Sequence, residues 1–365
     1  MFKNLQQTYT FDDVLLVPQY SNIETRKSVD IGTKLKDIRL TTPIVSAPMD
    51  TVTEHRMATA MIRKGGLPIL HRYNQPQDQI TMYERVVLDT EIRNPMVGAA
   101  VGTSEDDMRR VRMLTYAGVK IFCIDVAHGH HIAVERMIKN MRQKYGSDIH
   151  IMAGNIATAE AFTDLSNWGA DSIRVGVGGG SICSTRIQTG HGVPTLQSIF
   201  DIVNNQQSHN PAAIIADGGI KTSGDIVKAL AAGADAVMLG SMLSGTDESP
   251  GEVFEQGGQK FKAYRGMASK EAQTDWRGKV SSIEGIASKT KYKGSVSDVI
   301  DGINVGILSG GSMLLGSIMP IVGVLSLLSG LDDSGTFHTG GAVLFAQLGF
   351  KQATGFQRYN LFSIS

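Results

Sequence analysis

Short apolar runs alternate with amphipathic stretches over the first two thirds of the chain. The apolar runs occupy residues 42–50, 67–70, 97–102, 120–125, 150–154, 172–176, 213–217 and 236–240. Each run ends in, or is followed directly by, a glycine or a polar residue. Continuous apolar strands that alternate with helices form parallel sheets covered on both faces. Eight such units most simply close into a ring, so the pattern predicts a TIM-type (β/α)8 barrel.

Two of the intervening helices have clear sequence signals at their ends. Ser104 followed by Asp107 predicts a capping box, and Gly118 predicts the end of that helix. Ser223 predicts the N-cap of a later helix that ends at Gly233. Helices with such ends fit between the predicted barrel strands.

The chain after the eighth run divides into two further segments. Residues 246–294 are polar and glycine-rich with little periodicity, which is typical of a mobile lid over a functional site. Residues 304–330 carry no charge and are long enough to span a membrane, but their glycines and Pro320 favour an irregular tail instead. We therefore predict a barrel that includes its lid over residues 1–303 and a divergent, apolar, glycine-rich tail over residues 304–365.

The sixth run leads into a loop that carries one thiol. Four glycines lie between positions 176 and 180, and Ser181, Cys183 and Thr185 follow. Glycines allow positive φ and close approach, so the backbone of such a loop can face a ligand or an ion. A lone cysteine is ordinarily a small buried residue, as Cys123 in an apolar run is expected to be. The polar, glycine-rich setting favours a nucleophilic role for Cys183.

The loops after the seventh and eighth runs also carry functional signals. Asp217 precedes two glycines, and Gly240 precedes Ser241. These two loops form the usual phosphate site of a (β/α)8 barrel, so the sequence predicts a phosphorylated small-molecule ligand. Asp217 could instead cap a helix, but the glycines after it favour a contact to a ribose or deoxyribose hydroxyl.

Composition limits the classes of partner. Lysine plus arginine equals aspartate plus glutamate at 35 each, so no global field favours nucleic acid or an anionic membrane. Two cysteines far apart in the chain, with no signal-like beginning, predict a cytoplasmic protein without disulfides.

Seven motifs in order resemble signatures of the IMP dehydrogenase and GMP reductase family. They lie at residues 46–54, 154–158, 180–185, 215–220, 238–242, 248–252 and 264–267. The resemblance covers residues 8 to about 300, and the tail does not share it. It implies a (β/α)8 barrel, a purine nucleoside monophosphate as substrate, a nicotinamide dinucleotide as cofactor and a homotetramer.

The resemblance also implies a role for each matching position. Cys183 would attack C2 of the purine, with Thr185 and Glu284 assisting proton transfer. The further substrate-binding residues would be Met49, Ser181, Asp217, Gly218, Gly219, Gly240, Ser241, Tyr264, Gly266, Met267 and Gly285. The cofactor-binding residues would be Arg72, Asp125, Val126, Ala127, Gly176 and Gly178. The carbonyl groups of Gly178, Gly180 and Cys183 would hold a monovalent cation, K⁺.

The two branches of the family share the covalent step and differ afterwards. A dehydrogenase passes hydride from IMP to NAD and then hydrolyses the intermediate, with an Arg-Tyr pair on the lid as base. A reductase expels ammonia from GMP and then accepts hydride from NADPH. The lid here contains no Arg-Tyr dipeptide, and Glu284 could protonate the departing ammonia. Arg72, the residues 125–129 and the absence of inserted regulatory CBS modules between residues 71 and 97 also favour a reductase.

Other motifs resemble the dehydrogenase branch more closely, namely those at residues 46–49, 154–158 and 264–267. On balance the sequence predicts NADPH-dependent reductive deamination of GMP to IMP and ammonia through a thioimidate on Cys183. The alternative is an IMP dehydrogenase without CBS modules, which would convert IMP to XMP with NAD. A catalytically inactive nucleotide-binding protein is the third possibility, although every reacting side chain is present.

Overall fold

The computed structural model describes residues 7–278, 280, 283, 285–314 and 362–364. The strands are β1 Val14–Leu16, β2 Thr33–Leu35, β3 Ile38–Leu40, β4 Ile44–Ser46, β5 Leu67–Leu70, β6 Gly98–Val101, β7 Ile121–Asp125, β8 His150–Ile156, β9 Ser172–Val175, β10 Ala213–Asp217, β11 Ala236–Leu239, β12 Phe254–Gln256, β13 Gln259–Arg265, β14 Ala287–Lys291 and β15 Phe362–Ile364. The α-helices are α1 His55–Arg63, α2 Pro76–Thr90, α3 Glu105–Ala117, α4 Ile132–Tyr145, α5 Ala159–Trp168, α6 Thr185–Thr189, α7 Thr195–Asn205, α8 Ser223–Ala232, α9 Lys270–Arg277 and α10 Val296–Leu314. Three short 3₁₀ helices lie at Phe11–Asp13, Arg26–Ser28 and Gly146–Asp148.

Strands β4 to β11 form one closed parallel barrel in chain order. The ring closes between β11 and β4, where Leu239 lies opposite Ser46. Each of the eight predicted apolar runs contains one of these strands. The predicted (β/α)8 barrel is therefore confirmed, and all eight strand ends meet at one face.

The barrel strands bury both of their faces. Val45, Ile69 and Cys123 belong to the cluster that fills the interior of the barrel. Ile44 and Phe122, one position away along the same strands, belong to the larger cluster between the barrel and its helices. Because successive side chains point to opposite faces of a strand, burial on both faces requires a continuous apolar run. This requirement explains why the strands could be located from the sequence.

The helix signals correspond closely to the structure. Ser104 and Asp107 form the predicted capping box, and Gly118 ends the helix α3 with φ 106°. The cap of α8 lies one residue earlier than predicted, because Thr222 rather than Ser223 accepts the N–H of Asp225. The Asp225 carboxylate in turn accepts the N–H of Thr222, which completes that capping box.

No inserted domain separates the second and third barrel strands. Only α2 lies between β5 and β6, as the chain length between residues 71 and 97 predicted.

The lid contains regular structure that the sequence analysis did not predict. Strands β12, β13 and β14 form an antiparallel sheet, and α9 lies between β13 and β14. The rings of Phe254 and Phe261 stack across the first pair of strands at a centroid distance of 6.1 Å. These strands are short and largely exposed, so their pattern shows little apolar alternation, and pairing with distant residues decides their conformation.

The tail begins with a helix where the sequence analysis predicted irregular structure. Helix α10 crosses the predicted boundary at residue 303 and continues to Leu314. A Cβ on Gly306 would lie 2.2 Å from Ser223 Oγ, and one on Gly310 would lie 2.7 Å from Val227 Cγ2. The tail glycines at these positions therefore permit close contact with α8, and packing outweighs their low helix propensity.

Little else of the tail belongs to the described residues. Strand β15 pairs antiparallel with β1, with Leu16 opposite Phe362. The division of the chain at residue 303 and the character of residues 315–361 stay predictions. Within the part of the chain that the structure describes, no helix is long and apolar enough to cross a membrane.

A buried histidine at the start of β8 makes the stability of the barrel depend on pH. The His150 ring is 8% exposed and lies 2.8 Å from Ser172 Oγ, and burial lowers the pKa of His150 to about 4. Between pH 6.5 and 4 the unfolded chain therefore binds a proton that the native protein does not bind. As the pH is lowered from 6.5 to 4, His150 should therefore reduce the free energy of unfolding by about 3 kcal/mol.

Urea unfolding at a series of pH values measures this effect. The variant His150→Asn should lose most of this part of the pH dependence, whereas the exposed His209→Asn should keep it. An unchanged acid dependence in His150→Asn would contradict the assignment.

Candidate active site

One cavity of about 420 Å³ opens at the carboxyl ends of the barrel strands. It collects residues that lie far apart in the chain. The predicted site residues that line it are Met49, Arg72, Asp125, Val126, Ala127, Gly176, Gly178, Gly180, Ser181, Cys183, Thr185, Asp217, Gly218, Gly219, Gly240, Ser241, Tyr264, Gly266, Met267 and Gly285. Glu284 lies outside the described residues. The structure thus brings together every other predicted site residue, while their individual roles stay predictions.

The Cys183 loop leaves the sixth barrel strand through glycines that other residues could not replace. Gly176 has φ 146°, and a Cβ there would lie 1.9 Å from the carbonyl oxygen of Asp217. The N–H of Cys183 donates to the carbonyl of Gly180 at 3.1 Å, and its thiol lies 3.3 Å from Thr185 Oγ1. Cys183 is partly exposed, so its thiol is accessible to a ligand and has a hydroxyl beside it.

The described part of the lid pairs with this loop. The N–H of Ile286 donates to the carbonyl of Ile182 at 3.1 Å, and Cys183 and Gly285 form an antiparallel bridge. Gly285 has little free space, because a Cβ there would lie 3.0 Å from the N atom of Ser269. The lid therefore forms one wall of the cavity directly beside Cys183.

A buried arginine connects two sides of the cavity. Arg174 on β9 donates to Asp217 Oδ2 through Nε at 3.1 Å and through Nη2 at 2.8 Å, and its Nη1 donates to Asp125 Oδ1 at 2.5 Å. Burial by itself lowers the pKa of Arg174, but the carboxylates of Asp217 and Asp125 raise that pKa well above its ordinary value. Arg174 therefore stays charged and holds both carboxylates in fixed positions.

Asn155 completes this network. Its amide donates to Asp217 Oδ2 at 2.8 Å and to the carbonyl of Gly176 at 2.8 Å. Asp217 Oδ2 thus accepts three hydrogen bonds from protein side-chain nitrogens, while no protein donor within the described residues meets its Oδ1. Oδ1 is the oxygen available to a ligand hydroxyl.

Tyr264 and the turn after β11 form another part of the cavity wall. Tyr264 OH lies 3.4 Å from Ser181 Oγ, and burial raises the pKa of Tyr264. A Cβ on Gly240 would lie 3.1 Å from that phenol and 3.3 Å from Met49 Sδ. Two hydroxyl groups and the backbone of a glycine turn therefore converge on one end of the cavity.

Two contacts join the lid to the barrel near the cavity. Arg265 on β13 forms ion pairs with Asp50 at 2.6 Å and with Asp275 at 2.5 Å, and these hydrogen bonds raise the pKa of Arg265. The ring of Tyr73, which follows β5, lies 6.4 Å from the ring of Trp276 on α9. The described part of the lid is therefore held at two separate points.

Arg72 lies where the sequence analysis placed a cofactor contact. Its Nη2 donates to the carbonyl oxygen of Asp125 at 3.1 Å, and its guanidinium lies 5.6 Å from the centroid of the Tyr73 ring. This places a positive charge at the cofactor end of the predicted site.

Sequence reasoning missed the roles of Arg174 and Tyr73 and assigned no function to Asn155. Arg174 has a usable signal, because a charged residue within an apolar barrel strand requires buried counter-charges. Asn155 follows a strand end like the other site residues. Tyr73 offers no comparable signal, since its place in the cavity depends on the packing of α9.

A family model described as the IMP dehydrogenase / GMP reductase domain matches residues 8–318. The chain belongs to this family. The match ends beyond the boundary predicted at residue 303. Members of this family are oxidoreductases that act on purine nucleoside monophosphates with a nicotinamide dinucleotide.

Three curated relatives illustrate the similarity. The inosine-5'-monophosphate dehydrogenase of Cryptosporidium parvum is 38% identical over 348 residues, which cover 82% of this chain and 86% of the relative. That of Borreliella burgdorferi is 37% identical, with 84% of this chain and 90% of the relative covered. That of Nitrosopumilus maritimus is 33% identical over 434 aligned residues, with 82% of this chain and 91% of the relative covered. An alignment longer than this 365-residue chain shows that the last relative contains residues that this chain lacks.

The comparisons correct the predicted reaction. Each of these relatives is named an IMP dehydrogenase, so the prediction of a GMP reductase is wrong. That prediction depended on the absence of an Arg-Tyr dipeptide from the lid, on Glu284, which lies outside the described residues, and on Arg72, residues 125–129 and the lack of CBS modules. The two branches share the barrel and the covalent step, so these few features were too little evidence to separate them.

The two cysteines should differ sharply in reactivity. Burial raises the pKa of Cys123 to about 12, and its side chain is 0% exposed. Because the thiolate is the reactive form, iodoacetamide at pH 8 should modify Cys183 and leave Cys123 unmodified.

Peptide mass spectrometry after alkylation measures this difference. The variant Cys123→Ala should take up one label per chain, and Cys183→Ala should take up none. A label on Cys123 in the folded protein would contradict the predicted accessibility of the two thiols.

Proposed function

We propose that the protein is an IMP dehydrogenase that oxidises IMP to XMP with NAD. The observation that carries the proposal is the single cavity in which the Cys183 thiol, the Thr185 hydroxyl and the Arg174-held carboxylates meet. The names of the curated relatives support this reaction over the GMP reductase reaction. Oxidation of IMP requires the oxidised form of the dinucleotide, which we assign as NAD.

The sulfur of Cys183 would begin the reaction by adding to C2 of the purine, which breaks the π bond between C2 and N3, and the thiol proton would pass to N3. Cys183 lies 3.3 Å from Thr185 Oγ1, so a hydroxyl is present to exchange the thiol proton. A nicotinamide dinucleotide, when bound, would accept the hydride from C2 and leave a thioimidate on Cys183. Water would then add to C2 with loss of one proton to solvent, the C2–S bond would break, and the second proton would regenerate the thiol as XMP is released.

The two carboxylates orient the two ligands. Asp217 has one oxygen fixed by Arg174 and Asn155 and the other open toward the cavity, which suits the ribose hydroxyls of IMP. Asp125 and Arg72, with Val126 and Ala127, line the part of the cavity proposed for the nicotinamide ribose. Because Arg174 contacts both carboxylates, the two ligands would be held in one fixed relation.

The residues that line the cavity also suggest where the purine base and the phosphate of IMP would bind. We assign the base to Met49, Met267, Gly266 and Gly285, and the phosphate to Tyr264 and the turns after β9, β10 and β11. These phosphate-binding residues are Ser181, Gly218, Gly219, Gly240, Ser241 and Tyr264. Gly218 and Gly219 have φ 92° and 82°, which lets consecutive backbone N–H groups face an anion.

The loop carbonyls suit a monovalent cation. K⁺ prefers oxygen ligands, and no donor among the described residues meets the carbonyl groups of Gly178 and Cys183. Gly180 offers a third carbonyl, which already accepts the N–H of Cys183. These residues would hold K⁺, whose charge would stabilise the conformation of the loop. The homotetramer that the family resemblance implies stays a prediction.

Absorbance at 340 nm tests the proposed reaction. In potassium buffer, IMP with NAD should produce NADH and XMP in equal amounts, whereas GMP with NADPH should give no oxidation of the cofactor. The variant Cys183→Ala should be inactive, and Thr185→Ala should lose roughly a hundredfold in kcat.

The buried cysteine supplies the matched control for these variants. Cys123→Ala removes a thiol outside the cavity lining and should keep most of the activity. Oxidation of NADPH by GMP with release of ammonia, without NADH formation from IMP, would refute the proposal.

A further inference from the structure

The turn after β11 has its carbonyl groups occupied by a lysine from the far end of the lid. Lys293 Nζ donates to the carbonyl oxygens of Ser241 at 2.5 Å, Met242 at 3.3 Å and Ser244 at 2.8 Å. Gly240 O accepts the N–H groups of Leu243 and Ser244 at 3.1 and 2.9 Å. The carbonyl side of the turn is therefore saturated by protein donors.

The backbone around Lys293 holds the same segment. The N–H of Lys293 donates to Gly245 O at 2.9 Å, and the N–H of Asp247 donates to Gly294 O at 2.9 Å. A Cβ on Gly245, which has φ 79°, would lie 2.5 Å from Lys291 O. Lys293 is exposed as a residue, but these contacts fix its main chain and direct its ammonium into the turn.

The amide side of the turn has no such partners. Among the described residues, no acceptor meets the backbone N–H groups of Gly240, Ser241 and Met242. Gly240 and Ser241 line the cavity, whereas Lys293 does not. A planar trans peptide points its C=O and its N–H in opposite directions. A lysine that holds Ser241 O therefore directs the N–H of Met242 away from itself.

A second lysine strengthens the arrangement. Lys262 is 3% exposed, and its Nζ donates to Thr246 O at 2.9 Å and to Ser249 O at 2.6 Å. Burial lowers the pKa of Lys262, the charge of Arg56 lowers it further, and the carboxylates of Asp247 and Glu248 raise it. Lys262 therefore fixes the segment after the turn, as Lys293 fixes the turn itself.

We propose that Lys293 positions the turn 240–244 for the phosphate of the substrate and thereby makes the site prefer a nucleotide to a nucleoside. Lys293 is a positioning residue, because it acts on the turn and does not contact the ligand. The inference rests on the proposed function, since IMP supplies the phosphate.

Protection of Cys183 from iodoacetamide tests this role without requiring turnover. The alkylation rate at increasing concentrations of IMP, and separately of inosine, gives the dissociation constant of each. In Lys293→Met the dissociation constant of IMP should rise about tenfold, as expected when charge-assisted hydrogen bonds that order the anion site are lost. The dissociation constant of inosine and the alkylation rate without ligand should change less than twofold.

Lys289→Met is the matched control, because Lys289 lies on the same lid sheet and its ammonium contacts Gln256 and the Phe261 ring instead of the turn. It removes the same charge and should leave both dissociation constants unchanged. If Lys293→Met does not fold, as judged by its thermal unfolding, Lys293→Gln provides the same comparison with a neutral side chain.

Three outcomes would overturn the proposal. Equal weakening of IMP and inosine would show that Lys293 supports the whole cavity, and unchanged affinity for IMP would show that the turn does not depend on it. Failure of IMP to protect the unaltered protein would overturn the proposed substrate together with this inference. Failure of the proposed function alone is distinguishable, because protection by IMP would persist without NADH formation.

Discussion

Closure of the barrel between β11 and β4 is the constraint on which the rest of the molecule depends. The hydrogen-bonded pairing of Leu239 with Ser46 joins the last barrel strand to the first. It brings Gly240 close to Met49, because a Cβ added to Gly240 would lie 3.3 Å from Met49 Sδ. Parallel strands in a closed ring end on one face, so eight loops meet there without a dedicated binding domain.

Charge within the barrel is concentrated in one network. Arg174 extends from β9 toward Asp125 after β7 and Asp217 after β10. Removal of charged groups from water costs more free energy than their pairing returns unless the pair has good geometry and further hydrogen bonds. The barrel supplies that geometry, and the network in turn fixes two carboxylates at the places proposed for two ligands. Folding and ligand positioning therefore depend on the same three side chains.

The lid contributes residues to the cavity and was one ground for the prediction of the reaction. The GMP reductase prediction relied on lid residues such as Glu284, and the comparisons with known dehydrogenases overturned it. Residues of the lid do more than cover the cavity. Tyr264 and Gly285 line it, Arg265 joins the lid to Asp50, and Lys293 holds the turn after β11.

The barrel and many of the residues that line the cavity could be predicted from the amino-acid sequence alone. Strands buried on both faces require continuous apolar runs, and strand ends require polar residues and glycines, so both features are local and visible in the sequence. The lid sheet, the helix α10 and the partners of Arg174, Tyr73 and Lys293 became visible only in the folded structure. These features depend on contacts between residues far apart in the chain, such as that of Gly306 with Ser223. The local sequence pattern does not predict such contacts.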